Sequence, residues 1–123
     1  MSYDVVALVT KEPDQRLIAD AMVDTGKDLL IQPRSGGRIM QLLSPEDEKV
    51  LLTIEPPRLI EVLSEIDRLL GPNLTEGLTS PCWWIEAHAD PEVGPPHANR
   101  FAESLAWRLG GAVWTSADSN EEL

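Results

Sequence analysis

The sequence predicts an α+β domain: a two-layer sandwich in which a mixed β-sheet is covered by about three amphipathic helices, with a ferredoxin-like topology among those it admits. Three observations carry this. Apolar residues recur at helical spacing in three places, and each series stops at a glycine: Leu17, Ile18, Ala21 and Met22 before Gly26; Leu59, Ile60, Leu63, Ile66, Leu69 and Leu70 before Gly71; Phe101, Ala102, Leu105, Ala106 and Leu109 before Gly110. Between them lie stretches of strand length rich in β-branched and apolar residues. The length, 123 residues, fits one core.

Residues 3–10 are apolar on both faces, as an interior strand is. Pro13 suits the first position of the helix that follows. Residues 29–32 read as a short strand closed by Pro33. The Arg-Ser-Gly-Gly-Arg run at 34–38 reads as a turn; as a phosphate loop it lacks the lysine and hydroxyl that such a loop requires. Residues 38–43 and 49–55 are two further strands in a hairpin. Pro56 and Pro57 switch the period, and the second helix runs from there to Gly71. Residues 73–81 read as a loop. The prolines of 91–96 predict an irregular stretch, with Asn99 as N-cap of the third helix. Residues 112–115 form a last strand carrying Trp114. The domain spans 1–116, and 117–123 is an acidic tail.

The chain's apolar mass and its polar chemistry meet in residues 82–90, Cys-Trp-Trp-Ile-Glu-Ala-His-Ala-Asp, bounded by Pro81 and Pro91. In an extended chain Trp83, Ile85, Ala87 and Ala89 share one face, and Cys82, Trp84, Glu86, His88 and Asp90 share the other. The first is a core face. The second is either a solvated sheet surface or a recognition site.

Composition narrows the function classes. Ten Lys and Arg stand against 21 Asp and Glu, a formal charge of -11. Such a surface repels phosphate backbones and anionic bilayers, so nucleic-acid and membrane partners are disfavoured and a basic protein partner is favoured. The imbalance is concentrated: residues 44–96 hold eleven acids and three bases, whereas residues 1–43 are near neutral. A single cysteine excludes an internal disulfide, and the start of the chain has neither the basic flank nor the apolar run of an export signal, which predicts a cytoplasmic protein.

Glu86, His88 and Asp90 alternate on one strand face, with His97 a loop away, but their spacing matches no zinc signature. His88 lies six residues along the strand from Cys82, roughly 20 Å, too far for a thiol–imidazole pair. No catalytic residue, cofactor or metal ligand is therefore assigned. The four tryptophans all fall in the last third of the chain. Trp84 and Trp107 lie off the core-facing sides of their elements, and an exposed tryptophan in acidic surroundings has the composition of a binding hot spot for Lys or Arg.

The runs Trp83-Trp84-Ile85-Glu86-Ala87, Phe101-Ala102-Glu103-Ser104-Leu105-Ala106 and Leu109-Gly110-Gly111-Ala112-Val113-Trp114 resemble small uncharacterised actinobacterial proteins of the toxin-immunity type. The resemblance covers the C-terminal third and implies an inhibitory binding protein. Together these readings predict a non-enzymatic protein-binding domain that contacts a basic partner through Trp84, Glu86, His88, Asp90 and Trp107. The alternatives are a small hydrolase or isomerase using Glu86 and His88, and a structural homodimer.

Overall fold

A computed structural model describes residues 2–71, 75, 77–78 and 80–116. The elements are β1 (Tyr3–Val9), α1 (Gln15–Thr25), β2 (Leu30–Arg34), β3 (Ile39–Leu43), β4 (Val50–Ile54), β5 (Arg58–Ile60), α2 (Leu63–Leu70), β6 (Cys82–Ala89), α3 (Pro95–Leu109) and β7 (Gly111–Thr115), with one 3-10 turn between β2 and β3. The expected acidic tail at 117–123, and part of the loop expected at 73–81, lie outside the described residues.

All seven strands join one sheet in the order β2-β3-β4-β6-β1-β7, and β5 also pairs with β6. Every pairing is antiparallel, where the sequence predicts a mixed sheet. Neighbouring strands are antiparallel in a ferredoxin-like sheet as well, and its split β-α-β unit is present. β6 and β7 both run opposite to β1, so they are parallel to each other and flank it, with α3 as the crossover. α1 leads from β1 to β2, four places away, and β2 and β3 extend the β4-β6-β1-β7 order at one edge.

β1 and β6 run side by side over their whole length, Tyr3 opposite Ala89 and Val9 opposite Trp83. Their alternation sorts two apolar clusters onto opposite faces. On one face Val5, Ala7, Val9, Ile85, Ala87 and Ala89 meet Ala21 and Met22 of α1 and Phe101, Ala102 and Leu105 of α3. On the other, Val6, Leu8, Cys82 and Trp84 meet Ile66 of α2, with Leu63, Leu70 and Trp114 half-buried around them. The sheet and the α1/α3 layer form the expected sandwich. α2 adds a partial third layer behind it.

Three boundaries depart from the sequence expectations. The first helix starts after Asp14, whose carboxylate accepts from the Leu17 N–H at 2.8 Å, so Pro13 precedes the cap. The helical stripe read from residue 59 holds only from Leu63; Arg58–Ile60 is a strand on the edge of β6 that β4 leaves free. The third helix begins at Pro95, four residues before the expected Asn99 cap, and Pro95 and Pro96 occupy its first turn, where no N–H is needed. Asn99, inside the helix, accepts from the Tyr3 hydroxyl at 2.7 Å and ties α3 to the start of β1.

Candidate functional site

The face of the sheet that carries α2 changes character along β6. At the Cys82 end it is apolar and covered; at the His88 end it is polar and uncovered by any helix. The transition is built by a break in the neighbouring edge. β4 pairs with β6 from Ala89 to Ala87, the chain then passes through Glu55, Pro56 and Pro57, and β5 resumes pairing at Trp84. Proline has no N–H to donate, which interrupts the ladder there. The last ladder bond before the break, from the Glu55 N–H to the Glu86 carbonyl at 2.9 Å, fixes Glu55 beside Glu86.

A cleft of about 410 Å³ opens at this break, lined by Arg38, Glu55, Pro56, Pro57, Arg58, Trp84, Glu86 and His88. Its centre is an imidazole among carboxylates. His88 Nδ1 lies 2.8 Å from Asp4 Oδ1, while Nε2 lies 3.3 Å from Glu86 Oε2 and 3.8 Å from Glu55 Oε1. Burial pushes the Asp4 carboxyl up, but hydrogen bonds from His88 and Ser2 together with the positive charge nearby outweigh it and hold Asp4 below its ordinary range. An ionised Asp4 can only accept, so the proton of that contact sits on Nδ1 and Nε2 is turned toward the two glutamates.

The indole of Trp84 forms the floor. Its Nε1–H donates to Glu86 Oε1 at 3.0 Å, and the Arg58 guanidinium stacks over the ring at 5.2 Å. The expected exposed anchor is therefore corrected: Trp84 is 5% exposed, buried among Ile66, Cys82 and Leu8 because α2 and Arg58 cover the second face of the sheet. Trp107 matches its expectation, standing 81% exposed on α3 with Arg108 beside its ring at 5.7 Å.

The other residues singled out in the sequence do not join the cluster. Asp90 ends β6 and starts the turn into α3: it accepts from the backbone N–H groups of Val93 and Glu92 and pairs with Lys49 at 3.1 Å, and these contacts hold its carboxyl below the ordinary range. His97 sits in the first turn of α3, on the helix that packs against the other face of the sheet. Cys82 is fully buried at the far end of the strand, and burial pushes its thiol up, as for an inert cysteine. The Gly36 and Gly37 turn has positive φ at both glycines and is a turn, as expected.

Asp4, Glu55, Arg38 and Arg58 were missed, since each reaches the site through strand pairing or a turn distant in sequence. Asp4 did leave a signal, as the one acid within an otherwise apolar strand. Chemically the cleft offers carboxylates to a cation on the His88 side and two guanidinium groups on the other. Its lining holds no hydroxyl or thiol, and among the described residues no group of three or more His, Cys, Asp and Glu side chains is arranged to hold a metal ion. Among known proteins no family model, no curated protein and no solved structure matches the chain.

Proposed function

We propose that the chain is a non-enzymatic protein-binding domain whose contact surface is the cleft around His88, and that it takes a basic side chain of a partner protein. The observation that carries this reading is the convergence of Asp4, Glu55 and Glu86 on one imidazole at an uncovered sheet surface. A lysine or arginine entering there would meet two carboxylates already partly withdrawn from water, where an ion pair is stronger than on an open surface. The excess of acid in residues 44–96 would steer such a partner toward the cleft. An inhibitor or immunity protein for a basic toxin-like partner is the form of this reading that the C-terminal resemblance favours. With Trp84 buried, it rests on the acidic cleft and on Trp107.

The test is a titration with a short Lys- and Arg-rich peptide followed by NMR. The peptide should shift the resonances of Glu55, Glu86 and His88, and the double variant E55Q/E86Q should weaken binding about tenfold, with less effect at high salt. Shifts spread evenly over the acidic surface would reject the cleft. Concentration-dependent self-association without peptide in sedimentation equilibrium would favour the homodimer. A second reading draws on the 2.8 Å Asp4–His88 bond, which orients an imidazole as general bases are oriented. In that case turnover of some small substrate would be lost in H88A and reduced in D4N.

A further inference from the structure

The strands β2, β3 and β4 form a wing that the helix layer does not fully cover, because α1 packs chiefly on α3. On the helix side of this wing, pairing places Ile31 level with Leu42 and Pro33 level with Met40. Ile31 is 49% exposed. Between the wing and α1 runs a groove of about 570 Å³, with Ile18 and Met22 on the helix wall and Pro33, Met40 and Ile54 on the strand wall. The turn of Gly36, Gly37 and Arg38 closes one end. Its volume falls in the range of about 300–1,000 Å³ usual for small-molecule sites.

Arg38 decides the occupant. Among the described residues its guanidinium has no ion pair and no hydrogen bond. The acid in the groove lining, Glu55, turns its carboxylate to the opposite face, 3.8 Å from His88. A Cβ placed on Gly36 or Gly37 would meet nothing within 4 Å, so there is room above the turn for a head group. We propose that this groove binds a free single-chain amphiphile with a carboxylate head, its hydrocarbon tail between α1 and the wing and its head on Arg38. A planar guanidinium takes a carboxylate through two parallel hydrogen bonds. An apolar peptide would instead bury Arg38 without a counter-charge, which is costly. The net charge of -11 opposes an anion at long range, but at physiological salt that repulsion is screened beyond about 8 Å, whereas the Arg38 contact is direct.

The probe is decanoate below its micelle concentration, followed through the methyl resonances of Met22 and Met40 in the full chain. Both methyls should shift together and saturate. Shortening the tail to octanoate should weaken binding about tenfold, from about three- to fourfold per methylene. R38Q, at an exposed side chain whose loss does not threaten the fold, should weaken decanoate about tenfold or more while leaving decyltrimethylammonium unchanged. E86Q tests whether the head enters the His88 cleft, which Arg38 also borders, and it should leave decanoate binding unchanged. The proposal is overturned if decyltrimethylammonium binds as tightly as decanoate, if R38Q binds decanoate like the parent, or if the methionine shifts appear with protein concentration alone, as a second copy in the groove would cause.

Discussion

Asp4 and His88 show how one pair of side chains reports on the whole site. They face each other across the β1–β6 pairing, and the carboxylate is held below its ordinary range by that contact. A carboxyl whose value is lower folded than unfolded contributes stability that is fully present above the unfolded value, near 3.8, and is lost as pH falls through the lower folded value. D4N removes the contribution. Thermal unfolding followed by tryptophan fluorescence should therefore show the parent above D4N at pH 5, with the gap closing toward pH 2. A constant gap across that range would mean that Asp4 acts through packing alone. The same strand shows what alternation can and cannot tell. It assigned Trp83 and Trp84 to opposite faces correctly, but exposure depends on what covers each face, and α2 lies too far along the chain for local periodicity to place it.

At the scale of elements, the three helices and the strands other than β5 were legible because their periods are clean and their ends carry glycine or proline. β5 was hidden since Leu59 and Ile60 stand four and three residues before Leu63, the spacing of a helical stripe. What overrides it is tertiary: the edge of β6 beyond Ala87 is unpaired once β4 ends, and Arg58–Ile60 fills it. The site was half legible for the same reason. Glu86 and His88 lie in one strand, whereas Asp4 and Glu55 come from its two neighbours. The junction of α3 and β7 gives a sharp test of element packing. Gly110 has a positive φ of 72°, and a Cβ on Gly111 would fall on the Leu8 carbonyl oxygen, with the backbone of Val9 2.9 Å away. G111A should destabilise the fold by about 2 kcal/mol or more through this overpacking, read as a lower urea midpoint at an unchanged slope. The N-cap of α1 is milder: D14A should cost about 1 kcal/mol through loss of the bond from the Leu17 N–H.

Across the whole molecule the sheet separates two cores of unequal size. The α1/α3 side buries Phe101, Leu105, Leu109, Leu42 and Leu52 with the inner faces of β1, β4 and β6, whereas among the described residues the α2 side buries five, of which only Ile66 comes from the helix. α2 is eight residues long and has no side-chain N-cap. A helix so short is not stable by itself and depends on the area it buries. Stability should therefore be uneven: opening of α2 costs less than unfolding the sheet, since the larger core survives it. Native-state hydrogen exchange is expected to show the amides of Ile66 to Leu70 exchanging by local opening, with little dependence on denaturant. The amides of β1 and β6 should exchange only with global unfolding. I66A should then cost about 2–5 kcal/mol if the two cores unfold together, because a fully buried isoleucine leaves a cavity. If α2 opens first, part of that loss falls on the local equilibrium and the global midpoint moves less than for F101A, whose expected cost is about 3–5 kcal/mol. Equal protection in α2 and β1 would show that Trp84, shared between the helix and the sheet, couples the two cores into one cooperative unit.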